Sequence, residues 1–334
     1  MGGTAFLIRH PLTWRYHPGV TMSYVDFGGS GDLHSVEADQ VVSAIERACE
    51  SDLRTALRLV ARYSAYWWSH GLQDEAAAAA ERVLSMLGRT VPVGLDEEYL
   101  LAVIHGAASA EQEQVELAEQ IVLATTGPFR YSVTVLLWSL VFGPFESADV
   151  VEEVLERNES GDAWTRAAVE LCRGYSGLTS AAPDDAAQAL RAALGRFRML
   201  EDAWGTFLAL SALRHTVDEP LDLTTEALAL AEQLGLDEET GVLLCQRGDL
   251  YRALGKVEDA REDYSQALDI SERSDLPETA AVALLGLART ARQCGNLPAA
   301  RAHLSAVLAF PELEDAHFEA LHELAALNAS EASA

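Results

Sequence analysis

Across residues 36–328 the apolar side chains recur every three to four positions, the spacing that gives a helix one buried face. The runs are interrupted at Gly, Pro and Asp-rich junctions, and no convincing strand follows residue 35. The pattern predicts paired helices at about 56–87, 96–125, 129–158, 161–199, 201–235 and 241–272, a further pair around Gly295, and a terminal helix at about 312–328. Boundary chemistry agrees with this division. Asp96 precedes Glu97-Glu98, Asp237 precedes Glu238-Glu239, and Pro183-Asp184-Asp185 opens an Ala/Leu-rich run. Carboxylates there favour the positive end of a helix dipole. Gly71, Gly255 and Gly295 stand where a left-handed C-cap is expected.

The helices repeat in detail. In GVLLCQRGDLYRALGKVEDAREDYSQALDISE, residues 241–272, small residues at Gly248, Ala260 and Ala267 let two helices approach, while Leu244, Tyr251 and Tyr264 fill the space between hairpins. Forty residues on, Ala288, Ala291, Gly295, Ala300, Leu304 and Val307 take the corresponding places, and Ser64, Trp67, Gly71, Ala76 and Val83 do so in an early unit. Six sites at fixed offsets match the tetratricopeptide pattern. The expected fold is all-α: a right-handed superhelix, or α-solenoid, of about seven tetratricopeptide-like hairpins. An extended or β-hairpin arm at 1–35, the repeat domain at 36–328 and a disordered tail at 329–334 complete the expected organisation.

The stretch LRLVARYSAYWWSHG at 57–71, running into Asp74-Glu75-Ala76 and Glu81-Arg82-Val83-Leu84, resembles the opening of the C-terminal repeat region of large actinobacterial transcriptional regulators. These are the antibiotic regulatory proteins and maltose-regulator-like ATPases. The run EALALAEQLG at 226–235 fits the same long-repeat style. The resemblance implies a sensor that takes up a partner or effector in a regulatory or signalling role. The sequence departs from the regulators' full plan. It has no G-x-x-x-x-G-K-[ST] loop, Gly255-Lys256-Val257 being a hairpin turn, and no basic helix-turn-helix.

Composition narrows the partners. A net charge of −28 argues against a nucleic-acid surface, which needs clustered cations. Lys256 is the only lysine, and Asn and Ile are scarce, a bias expected of a GC-rich genome. Cys49, Cys172, Cys245 and Cys294 are widely spaced without a C-x-x-C pair, as expected for reduced, buried thiols of a cytoplasmic protein. No run reaches the ~18 apolar residues of a membrane span.

Recognisable catalytic chemistry is sparse. His317 and His322 lie on a predicted helix at an offset that turns them apart, so neither a metal nor another cofactor is expected. Residues 20–32 resemble the first hairpin of α/β-hydrolases, but no G-x-S-x-G elbow follows. Glu111, Glu113, Glu116 and Glu119 read as a solvated helix face. The apolar run at 131–142 reads as a helix buried on both sides, or as a wall for a hydrophobic ligand.

Projecting the repeat register onto the inner stripe of first helices selects Arg58, Trp68, Arg130, Asp249, Arg252, Arg289, Arg292 and Gln293 as ligand contacts. The arginines suit a carboxylate, a phosphate or an acidic peptide, or else pair with neighbouring Asp and Glu. The leading function is a non-catalytic module for a protein, peptide or small effector, with no direct contact to nucleic acid or membrane. A helical-repeat enzyme or small-molecule-binding protein of a biosynthetic pathway is the alternative, and a homo-oligomer assembled through an end hairpin is a third reading.

Overall fold

The computed structural model describes residues 38–143, 148–179, 183–310 and 313–332. The expected arm at 1–35 lies outside them. Among the described residues there are seventeen α-helices, one 3-10 turn and no strand. In order these are α1 (Ala38–Ser51), α2 (Leu53–Arg62), α3 (Ser64–Ser69), α4 (Gln73–Leu87), α5 (Asp96–His105), α6 (Gln112–Ala124), α7 (Thr134–Phe142), α8 (Ala148–Asn158), α9 (Ala163–Thr179), α10 (Pro183–Met199) and α11 (Ala203–Leu213). They continue with α12 (Leu221–Leu234), α13 (Asp237–Ala253), α14 (Val257–Arg273), α15 (Pro277–Gln293), α16 (Leu297–Val307) and α17 (Glu314–Ala332). No helix among the described residues is long and apolar enough to cross a membrane.

The chain is thus an all-α helical repeat, and it falls into two compact units divided between Asp218 and Glu219. Helix pairs form at the expected places, with four differences. The two helices expected at 201–235 are present as α11 and α12, but they belong to different units instead of forming one hairpin, and α12 packs with α13. The first helix of the early unit breaks at Tyr63, where Ser64 Oγ donates to the Val60 carbonyl at 3.1 Å and competes with the backbone ladder. The apolar helix expected from Tyr131 starts at Thr134, because the amides of Arg130 and Tyr131 donate to the Glu97 carboxylate. Finally, α17 runs to Ala332, through most of the expected disordered tail. Residues 329–332, Ala-Ser-Glu-Ala, contain no glycine or proline to stop it.

In the second unit the repeat residues pack as their sizes demand. Tyr264 of α14 is 1% exposed, and its ring lies against two glycines. A Cβ at Gly248 of α13 would stand 2.9 Å from Tyr264 Cε1, and one at Gly286 of α15 only 2.3 Å away. Both neighbouring helices therefore touch the ring through bare backbone. Ala260, Ala267, Ala300, Leu304 and Val307 are buried beside the first helices. Gly255 and Gly295 end α13 and α15 at φ +73° and +75°, conformations in which a β-carbon is strained. Two helix starts differ in their chemistry: Pro277 opens α15 in the first turn, and Asn296 accepts from the Ala299 amide at 3.2 Å to open α16.

The first unit uses the same device with different residues. A Cβ on Gly205 of α11 would meet the Phe197 ring of α10 at 2.2 Å, and one on Gly174 of α9 would meet Leu190 at 2.3 Å. Trp164 stacks on Trp204 with centroids 5.9 Å apart, and its indole N–H donates to Asp202 at 3.2 Å. Asp202 also caps α11 by accepting from the Gly205 amide.

These contacts predict that Gly286→Ala destabilises the protein by about 2 kcal/mol, the range for overpacking a rigid core site. Gly195→Ala, on α10 with nothing within 4 Å of the new carbon, should stabilise it by about 0.5–1 kcal/mol. Urea unfolding followed by circular dichroism reads both. Equal stability of Gly286→Ala and wild type would contradict the packing.

Candidate ligand-binding face

In the second unit α13 and α15 present equivalent residues forty positions apart. Val242 and Val282 are 38% and 44% exposed near the N-terminal ends. Asp249 and Arg289 follow, then Arg252 and Arg292, with Gln293 exposed beyond. Each helix therefore exposes one valine after its acidic first turn and charged groups towards its C-terminal end. Tyr264 couples the charged end to the core, because its buried hydroxyl donates to Asp249 at 2.7 Å. Burial and the Asp249 carboxylate both raise its pKa, so the phenol remains a donor. Asp249 also accepts from Arg252 at 3.2 Å, while Arg252 Nε is buried and lacks an acceptor among the described atoms.

Arg289 and Arg292 are already in contact with carboxylates. Arg289 reaches Glu319 at 2.7 Å and Glu323 at 3.1 Å, both on α17, and Arg292 reaches Glu323 at 3.3 Å. Burial alone would weaken the Arg289 charge, but the bonds to Glu319 and Glu323 outweigh it and raise the pKa. Nearby, Arg247 and Asp263 form a two-pronged bond at 2.7 and 2.8 Å that ties α13 to α14. Asp263 is buried, so the pair serves the hairpin itself.

The other three expected contacts belong to the first unit. Arg58 is exposed on α2. Trp68 is half-buried, and its indole N–H donates to His105 Nδ1 at 3.4 Å. That assigns the ring proton to Nε2, which donates to Ser64 Oγ at 2.8 Å, and Ser64 donates onward to the Val60 carbonyl. Trp67 meets the same imidazole edge-on at 5.4 Å. Burial pushes the pKa of His105 down to about 3. Arg130 is consumed by a local network. Its side chain bonds Glu97 and Glu98, Tyr131 Oη donates to Glu98 at 3.2 Å, and Thr134 donates to Glu97 at 2.9 Å. Glu97 and Glu98 are both buried, and together they anchor the loop before α7.

The expected inner stripe thus comes as five residues in the second unit and three in the first. Its partners were not singled out from sequence: Glu97 and Glu98 read as dipole-favouring acids, and Glu319 and Glu323 lay on the expected terminal helix. A signal was present for the latter pair, since Glu-x-x-x-Glu follows Arg-x-x-Arg by about one repeat. Elsewhere, Cys49, Cys172 and Cys245 are buried, but Cys294 is exposed just past the end of α15, correcting the expectation of four buried thiols. Glu111, Glu113, Glu116 and Glu119 are exposed along α6 and the residue before it. No group of three or more potential metal ligands gathers among the described residues.

Helical hairpins with a charged first-helix face define the class: an all-α repeat protein. Residues 239–312, the region of that face, match the tetratricopeptide repeat family. Among solved structures, the chain is similar to a signal transduction ATPase with numerous domains from Pyrococcus horikoshii that carries a tetratricopeptide repeat sensor. The TM-score is 0.50 at 12% identity, over 75% of this chain and 41% of that one. That is a likeness of fold, and this chain spans less than half of the other's length. No curated protein sequence is detectably similar.

His105 supplies a prediction about pH. Its folded pKa of about 3 lies below the ordinary value of 6.5, so its neutral form stabilises the fold fully above pH 6.5. That contribution falls as the pH drops towards 3, by about 2 kcal/mol at pH 5. Urea midpoints at pH 7 and pH 5 should show this loss in wild type and a smaller one in His105→Gln. Identical pH dependence in the two proteins would contradict the assignment.

Proposed function

We propose that this chain is a binding and sensing module that takes an acidic segment of a protein or peptide on the first-helix face of its second unit. The carrying observation is the set Arg252, Arg289 and Arg292 on one face of a chain with net charge −28, each already holding a carboxylate and two of them holding those of another helix. The glutamates of α17 support this reading, since Arg289 and Arg292 bond two carboxylates four residues apart on a helix. Arg292 remains exposed and has several N–H donors beyond its bond to Glu323, and Arg252 has a buried N–H without an acceptor. Val242 and Val282 add exposed apolar surface about 15 Å along the helices from Arg252 and Arg292. A ligand with an apolar residue followed by acidic ones fits this order, and an anionic small effector would use the same arginines.

A sensor role in signalling or transcriptional regulation is supported by the resemblance of residues 57–84 to actinobacterial regulators and by the sensor of the Pyrococcus protein. In such a role the module would report occupancy to another protein.

Calorimetric titration with a helical peptide carrying Glu-x-x-x-Glu tests this reading. Arg252→Ala and Arg292→Ala should each weaken binding roughly tenfold, about the 1.5 kcal/mol of a charge-assisted hydrogen bond. Equal affinity of wild type and both variants, or no heat for any, would refute it.

A further inference from the structure

The C-terminal helix α17 follows the register of a first helix in a hairpin. Gly286 of α15 meets the Tyr264 ring of the preceding second helix, and Leu304 of α16 occupies the place of Tyr264 one repeat later. The residue that takes the place of Gly286 is Ala320, fully buried in the cluster that contains Leu304 and Val307. The same shift aligns Arg289 with Glu323, the pair that bonds across the two helices. It also aligns Leu284, Leu287, Ala288 and Ala291 with Phe318, Leu321, His322 and Ala325.

In α15 these are the tetratricopeptide positions that pack against a second helix. Leu284, Leu287 and Ala288 are buried. In α17 Phe318 is 74% exposed and Leu321 56%, and Ala325 is exposed beside them. One side of α17 is therefore seated on the repeat core through Ala320 and Leu327. Among the described residues no second helix covers the other side, where Phe318, Leu321 and Ala325 are exposed.

We propose that this outer face of α17 receives an amphipathic helix of a partner protein, docked as the second helix of a further hairpin. The seat continues the stacking of α13 to α16, so the occupant should resemble α14 and α16, with small residues flanking one large apolar side chain. Charge selects among such helices. Glu314 and Asp315 are exposed at the start of α17, and the chain as a whole is strongly acidic, so the partner helix carries basic flanks. This surface is separate from the arginine face and does not depend on it.

The test uses the full chain and a fluorescein-labelled peptide of residues 297–310, LPAARAHLSAVLAF, extended at its ends with arginines or with glutamates. Fluorescence anisotropy should saturate for the arginine form and be at least roughly tenfold weaker for the glutamate form. The double variant Phe318→Ser/Leu321→Ser should lose about tenfold or more, with an unchanged circular dichroism spectrum. Leu123→Ser, which removes an exposed apolar side chain of the first unit, should bind like wild type. Absent binding, or equal binding to the double variant, overturns the proposal. Light scattering of the unliganded chain supplies a second route to failure: a dimer abolished by Phe318→Ser/Leu321→Ser would assign the seat to a second copy instead.

Discussion

The close approach of three helices around the Tyr264 ring is the constraint on which the second unit depends. The ring lies where β-carbons on Gly248 and Gly286 would otherwise project, so α13, α14 and α15 meet at backbone distance. Because the ring is buried, dispersion and apolar burial hold it there. Its hydroxyl points the other way, to Asp249, and Asp249 bonds Arg252. Core packing and the charged face are thereby joined by one side chain. A change in helix spacing would move the very groups proposed to meet a ligand.

Electrostatics gives the second theme. In a chain with 52 acidic and 24 Lys or Arg residues, carboxylates are the abundant partner and arginines the scarce one. How each arginine is used separates structure from binding. Arg130 and Arg247 engage buried carboxylates, Glu97 and Glu98 in one case and Asp263 in the other, and so hold the backbone in place. Removing either cation would strand a buried charge. Arg252 and Arg292 instead meet partly or largely accessible groups, where an incoming carboxylate can compete.

Much of the fold was legible in the sequence because a repeat states its own rules several times. Gly248, Ala260 and Ala267 had to be small, and Gly255 and Gly295 had to turn, for local reasons visible in one unit and confirmed in the next. Less legible were features set by contacts distant in the chain. The Glu97 side chain takes the amides that would have begun α7 earlier, a competition thirty residues away that no helical period reveals. The division between Asp218 and Glu219 left no periodic trace either. At the candidate face, register located Arg252, Arg289 and Arg292, but their occupancy depended on where α17 came to rest. Trp68 and Arg130 were placed on the stripe by the same register, yet an imidazole buried at position 105 and a pair of buried glutamates claim them. Sequence spacing reports direction along a helix; it does not report which neighbour arrives there first.

The central claim is that Arg252 and Arg292 meet the ligand's carboxylates, and arginine side-chain NMR tests it most directly. On titrating a Glu-x-x-x-Glu peptide into the full chain, the Nε–H signals of Arg252 and Arg292 should shift saturably and together, while those of Arg130 and Arg247 stay fixed. Shifts confined to other arginines, or none at peptide saturation, would contradict a carboxylate-binding face on α13 and α15.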